Sequence, residues 1–519
     1  MIHTGRSGTT PEGGDTMRKT LPVISTGPTA GSGSCSTAAT APAARPGLPR
    51  WRRRGLRIAL VRHHDLCLNT RQITQIQKRA GVLPHLGLGY IHTALKTAGF
   101  HNVIQVDTPA LGLDAEGLRR LLADFAPDLV GVSTTTPGLP GAVEACQVAK
   151  STGAKVILGG PHTEVYAREN LHHDCIDYVG VGEGITIMPE LAEALEQGDR
   201  PDGIRGLVSR ESDGGAAPMV NLEEVGWPER GGLPMDRYYS IMAPRPFATM
   251  ISSRGCPFKC SFCFKQAVDK KSMYRSPEDV VGEMTELKKR WGVKEIMFYD
   301  DVFTLHRGRV REICALIGEQ GLKVRWEAPT RVDLVPEPLL KAMAGAGCVR
   351  LRFGIEHGDP EILRRMRKES DIAKIEKAVT SAHEAGIKGF GYFIVGWLDE
   401  SREQFRRTID LACRIPLDYA SFYTATPLPG TPLHTESVAA GRIPKDYWDR
   451  FVQGEFDSRI GYLVPDAQHR AQAAYRAFFL RRTMVKPLLG HMAATGQWRN
   501  TLDGLRSLAR STSNTDRDF

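Results

Sequence analysis

The stretch Ala248-Thr249-Met250-Ile251-Ser252-Ser253-Arg254-Gly255-Cys256-Pro257-Phe258-Lys259-Cys260-Ser261-Phe262-Cys263 decides how this chain is read. An apolar run with the length of a strand, 248–253, passes directly into a loop that carries three thiols within eight residues. Spacings this short let one segment wrap a metal cluster. Three thiolates on a four-iron cube leave one iron open to an incoming ligand, whereas a cluster that only carries electrons usually wants a fourth cysteine. A zinc knuckle is the competing reading, but zinc sites favour paired Cys-x-x-Cys elements with a distant second pair. Cys314, Cys348 and Cys413 each lack a paired neighbour. The spacing therefore points to a [4Fe-4S] cluster on Cys256, Cys260 and Cys263.

Outward from this loop, short apolar runs alternate with amphipathic stretches, the pattern of βα units on a parallel sheet. Downstream the runs fall at about 248–253, 295–300, 323–328, 348–355, 389–396 and 419–425, six strands with five helices between them. Six units are too few to close a regular eightfold barrel, so an open, partial (β/α)6 barrel is expected over 247–432, with its site at the carboxyl ends of the strands. Upstream, runs at 57–62, 102–107, 128–134, 154–159 and 177–182, with a further helix at about 186–197, predict a five-stranded, doubly wound, Rossmann-like domain over 56–200. Ligands of such sheets bind beyond the carboxyl ends of the strands. That singles out the loops Ser133-Thr134-Thr135-Thr136, Gly159-Gly160-Pro161-His162 and Gly182-Glu183-Gly184, whose glycines permit close backbone approach to a bulky ligand. Residues 201–246, with Gly214-Gly215, Gly231-Gly232 and several prolines, read as a linker. A turn-rich stretch, Pro427 to Pro432, leads into a mainly helical region over 433–512, whose clearest amphipathic helix spans 466–490.

A chain of 519 residues exceeds the length at which one core stops growing, so two or three domains are expected. The hydrophobic fraction of 41% and charged fraction of 24% are those of a soluble globular protein, and no run of about 18 apolar residues occurs. The formal charge of +9 raises the question of nucleic acid. Residues 1–57 hold nine Arg or Lys against Glu12 and Asp15, which leaves only +2 for the other 462 residues. Basicity belongs to the tail, Trp51-Arg52-Arg53-Arg54 reads as a solvated junction, and no nucleic-acid partner is expected. Residues 1–55, rich in Gly, Ser, Thr, Ala and Pro, and residues 513–519 read as disordered. Ten cysteines, three of them crowded into one loop, do not resemble a secreted disulfide framework, and no secretory signal opens the chain. A cytoplasmic location is expected.

Cys-x-x-x-Cys-x-aromatic-Cys after the first strand of a six-unit partial barrel resembles the radical S-adenosylmethionine (SAM) superfamily. The resemblance implies that SAM chelates the open iron through its amino and carboxylate groups. It also implies that one electron, from an external flavodoxin or ferredoxin type of partner, breaks its S–C5′ bond to give a 5′-deoxyadenosyl radical. Cys256, Cys260 and Cys263 are then the metal ligands, and Phe262 is the motif's aromatic residue. On the fourth barrel strand, Arg352, Gly354 and Glu356 share a face opposite Leu351, Phe353 and Ile355, so the polar face is expected to point into the cavity. Glu356 resembles the family's ribose or methionine contact, Asp300 and Asp301 stand where the family meets the methionine amine, and Arg331 is a candidate carboxylate partner. Gly391 to Gly396 resembles the element flanking the adenine. Relatives often read Gly-x-Pro-x-Glu there, and this chain has Gly396-Trp397-Leu398-Asp399-Glu400.

Leu83 to Tyr90, Gly159 to Thr163, Asp177 to Glu183 and Thr426 to Leu433 resemble, in order and spacing, the cobalamin-binding subgroup of the same superfamily. Cobalamin is then the third cofactor, and Ser133, Thr134, Thr135, Gly159, Gly160, His162, Gly182 and Glu183 are its expected contacts. Many cobalamin proteins place Asp-x-His-x-x-Gly after the first strand; here the loop holds His63, His64 and Asp65 in another order, so those residues read as ordinary loop groups and the corrin as held without a protein imidazole. The resemblance implies methyl transfer from SAM through cobalt to an unactivated carbon, or less readily phosphorus, of a small-molecule or lipid-like substrate. That substrate would sit in the cleft between the two domains. Non-methylating relatives of the cyclase or rearrangement type, and a cobalamin sensor without catalysis, are the alternatives. Methylthiolation would require three further cluster cysteines, and Cys67, Cys146 and Cys175 lie in separate βα units.

Overall fold

Ile58 to Val61 are buried on every side, as a strand of a parallel sheet covered on both faces by helices must be. The computed structural model describes residues 55–63, 81–264, 272–455 and 463–496, with Trp498 and Leu502. Apart from Gly55, the tails expected to be disordered lie outside these residues, as do His64, Asp65 and Cys67. The first sheet comprises β1 (Ile58–Arg62), β2 (Val103–Asp107), β3 (Leu129–Ser133), β4 (Lys155–Gly159), β5 (Tyr178–Gly180) and β6 (Leu207–Val208) in the spatial order β2-β1-β3-β4-β5-β6. The first five strands are parallel and match the expected positions. Helices Ala115–Phe125 and Leu139–Ser151 pack on one face; Leu86–Thr97 and Gly184–Gln197 pack on the other. The order reverses between β1 and β3, which opens the ligand crevice of a doubly wound sheet at their carboxyl ends.

The stretch 201–246 is more than a spacer. Its β6 runs antiparallel to β5, Tyr239–Ser240 pairs with Gly81–Val82, and the buried Tyr238 hydroxyl donates to Asp107 at 2.9 Å. Its glycines let the backbone fold back tightly, so a pattern that signals turns also hides two short strands.

The second sheet holds β7 (Phe247–Met250), β8 (Glu295–Phe298), β9 (Arg325–Thr330), β10 (Cys348–Glu356), β11 (Lys388–Val395) and β12 (Tyr419–Thr424), parallel throughout and in sequence order. It is the expected six-stranded open barrel, with β9 displaced two residues towards the C-terminus. Leu351, Phe353 and Ile355 enter the core beneath the outer helices, so the opposite face of β10 does look into the lumen. There Arg350 pairs with Glu295 at 2.6 Å and with Glu327. The expected helix 466–490 is two: Ala467–Phe479 and Val485–Thr495. Between them Arg481 turns inward, donating to the carbonyls of Ala412 and Leu417 at 3.0 and 2.9 Å. Among the described residues no helix is long and apolar enough to cross a membrane.

Candidate active site

Asp300 closes β8 in the position from which it can hold the cysteine loop. Its carboxylate accepts the Ser252 backbone N–H (2.7 Å) and the hydroxyls of Ser252 (2.6 Å) and Ser253 (2.5 Å). Burial raises its pKa and these three donors oppose that rise. Asp301 accepts the Gly255 N–H at 2.8 Å, one residue before Cys256. The far end of the loop is tied through Ser261: its N–H and hydroxyl donate to the carbonyls of Met366 (2.9 Å) and Arg365 (3.0 Å), and its own carbonyl accepts from Leu433 (2.9 Å). Phe264 lies against Gly430, where a Cβ would come within 2.8 Å of its ring, so the Thr426 to Leu433 stretch is fitted to the cysteine loop.

Cys256 and Cys260 are partly buried and Cys263 is exposed. Burial pushes the Cys260 thiol up, while the charges of Lys368 and Arg331 work against that, as suits a group that must ligate as thiolate. Among the described residues no three His, Cys, Asp or Glu side chains could hold a single metal ion. Thiolates that each bind a different iron of a cube stand further apart than ligands sharing one ion. The donor set, three thiols on one doubly anchored loop with cations alongside, fits a cluster with one open corner.

The remaining residues expected around SAM gather at this end of the barrel in specific pairings. Arg331 stacks on Phe258 of the loop, its guanidinium carbon 3.7 Å from the ring centre, and bonds Asp333 and the Lys368 carbonyl. Glu356, in left-handed conformation at φ 69°, pairs with Lys368 at 2.7 Å. Phe262 meets Trp397 edge-on, with ring centres 6.2 Å apart. Gly396, at φ 72°, packs so closely on Ala467 that a Cβ would lie 2.5 Å from it. Its N–H donates to Glu400 at 2.7 Å, and Glu400 also receives His357 (2.7 Å) and Arg470 (2.8 Å), so the turn without proline is fixed by a buried carboxylate. Arg352 stands apart from these, deeper in the lumen, over Tyr299 and bonded to the Phe298 carbonyl.

A cavity of about 470 Å3 opens at the carboxyl ends of β1, β3, β4 and β5. Ser133, Thr134, Thr135, Gly159, Gly160, Gly182 and Glu183 line it, together with the apolar Leu60, Ile157, Ile187 and Met188. Hydroxyls and open backbone at the rim and apolar walls within suit a large, amphipathic cofactor. His162 is a correction: it does not line the cavity but is fully buried, bonded to Thr136 (3.1 Å) and Asn170 (3.2 Å), with burial pulling its pKa down to about 4. The glycines also divide. A Cβ on Gly160 would meet the Thr134 carbonyl at 2.5 Å and one on Gly182 the Ala217 carbonyl at 2.5 Å, so both serve the chain's own packing, while a Cβ on Gly159 would meet nothing within 4 Å. Arg62, His85 and Tyr90 line the cavity without having been singled out, and His63, read from sequence as an ordinary loop group, lines it too. His85 and Tyr90 lie in the Leu83 to Tyr90 phrase; His63 is buried at the β1 end and bonded to Thr134 at 3.1 Å.

Ile251 and Arg254, both on the approach to Cys256, complete the cavity wall, and Arg254 forms a forked ion pair with Glu183 of the first domain. The segment that leads into the cysteine loop therefore forms part of the wall of the crevice of the first sheet.

Comparison with known proteins agrees with this architecture. The Radical SAM superfamily model matches residues 250–412 and the B12 binding domain model residues 74–192. An uncharacterised methyltransferase of Pyrococcus horikoshii is 32% identical over 79% of this chain and 90% of its own length. The anaerobic magnesium-protoporphyrin IX monomethyl ester cyclase of Rubrivivax gelatinosus is 28% identical over 78% of this chain and 76% of its own. In fold, the chain resembles the radical SAM methyltransferase TsrM of Kitasatospora setae, solved with cobalamin and a [4Fe-4S] cluster, with a TM-score of 0.67, 19% identity, and coverage of 88% of this chain and all of that one. The protein is a radical SAM enzyme with an N-terminal B12-binding domain. It belongs to the cobalamin-dependent family in which methyltransferases and cyclase-type enzymes both occur, whose cofactors are a [4Fe-4S] cluster, SAM and cobalamin.

Proposed function

We propose that this enzyme methylates an unactivated carbon of a small or lipid-like molecule. The observation that carries the reading is the wall between the two sites: Ile251 and Arg254, on the segment that leads into the cluster loop, line the cavity of the first sheet. When bound, SAM at the cluster supplies a hydrogen-abstracting radical and the corrin a methyl carrier. Geometry then dominates, because the reacting groups must meet in one enclosed space. Cys256, Cys260 and Cys263 hold the cluster, and Asp300 and Asp301 fix the loop that carries them. Lys368 and Glu356, Arg331, and the Gly396 turn held by Glu400 order the side on which SAM is placed. Ser133, Thr134, Thr135 and the open face of Gly159 receive the corrin, and the Arg254–Glu183 pair closes the joint between the two sites against water.

The cyclase-like relative supports a second reading, oxidative or rearranging chemistry without methyl transfer. Methylthiolation is less well supported, since Cys146 and Cys175 lie in the core of the first domain, away from the cysteine loop. Anaerobic reconstitution with iron, sulfide and hydroxocobalamin, followed by product analysis with SAM and an external reductant, separates the readings. Methylation predicts S-adenosylhomocysteine alongside 5′-deoxyadenosine; deoxyadenosine alone favours the second reading, and neither product overturns both.

A further inference from the structure

Helix Val485–Thr495 exposes part of its apolar surface. Its inner side, Leu488 and Met492, packs against the molecule, Leu488 on the barrel core, while Val485, Leu489 and Ala493, spaced four apart along the outer side, are exposed. Eight large apolar side chains are exposed among the described residues, and five of them fall in this one region: Leu480, Val485, Leu489, Trp498 and Leu502, each 41–59% exposed. Such a concentration marks an interaction surface, in contrast to scattered single residues. Charge identifies the partner. Besides the inward-turned Arg481, residues 480–511 hold five Arg or Lys against Asp503 alone, whereas residues 58–479 carry a formal net charge of −2. Arg482, next to the helix, is exposed. Exposed leucine and tryptophan in a stretch of sequence that is basic, on a body close to neutral, are the composition of a segment that lies in the interface of an anionic bilayer.

We infer that the exposed Leu480, Val485, Leu489, Trp498 and Leu502 dock this enzyme on an anionic lipid surface, with Val485, Leu489 and Trp498 entering the headgroup region. The full-length reconstituted protein, kept anaerobic, is to be sedimented with vesicles of phosphatidylcholine alone and of phosphatidylcholine with phosphatidylglycerol, beside a Val485→Glu/Leu489→Glu double variant. Both substitutions are at exposed positions, and unchanged iron content and near-ultraviolet circular dichroism verify that the variant is folded. The inference predicts binding to the anionic vesicles that weakens with salt, little binding to the neutral ones, and at least about tenfold weaker binding by the double variant. Wild-type protein that stays in the supernatant overturns it, as does equal binding by a folded double variant. A dimer in light scattering that the double variant converts to monomer, without vesicle binding, overturns it in favour of a second copy on the same face.

Discussion

Gly159 and Gly160 are adjacent at the end of β4 and answer to different constraints. Gly160 is at φ 99°, and a Cβ there would press on the Thr134 carbonyl; Gly160→Ala should cost about 2–4 kcal/mol in denaturant unfolding. Gly159 faces open space within the cavity. Gly159→Leu should leave stability within about 1 kcal/mol and lower cobalamin uptake at least tenfold, read from the absorbance of the reconstituted protein. From sequence the two are indistinguishable, because Gly-Gly reports only that the backbone comes close to something. His162 misleads for a similar reason: its place after Gly160-Pro161 is a ligand position, and only burial among Thr136, Asn170 and Tyr166 shows that it belongs to the core.

At the level of elements, strand periodicity was a strong guide, since on β10 Leu351, Phe353 and Ile355 enter the core while Arg350, Arg352 and Glu356 take the other face. What periodicity does not report is which polar residues meet. Asp300 and Asp301 looked like ligands from their place at a strand end, yet both grip the cysteine loop. The turn after β11 lacks the expected proline, and its rigidity comes from Arg470, seventy residues further on, through Glu400. Arg470→Ala would leave the Glu400 carboxylate buried with one donor fewer. It should destabilise the barrel by about 3 kcal/mol and raise the SAM concentration needed for half-maximal deoxyadenosine formation, with Arg470→Lys recovering part of both. Likewise Arg481 divides what the amphipathic pattern reads as one helix, by bonding to carbonyls at the end of a neighbouring helix and at the approach to β12.

Across the molecule, burial holds His92 and His162 neutral, with pKa values lowered from the usual 6.5 to about 4. The unfolded chain protonates both below about 6.5, so their contribution is fully present above that pH and is lost as pH falls towards 4. Unfolding midpoints should therefore fall across this window, and His162→Gln should flatten the slope relative to wild type. One chain is proposed to hold two separable cofactors, with the segment leading into the cluster loop forming part of the wall between them. Metal analysis of anaerobically reconstituted wild type, Cys260→Ala and Gly159→Leu tests it most directly. The wild type should hold about four irons and about one cobalamin, Cys260→Ala should lose iron but keep cobalamin, and Gly159→Leu should do the reverse. Zinc in place of iron, or a wild type without cobalamin, would contradict it.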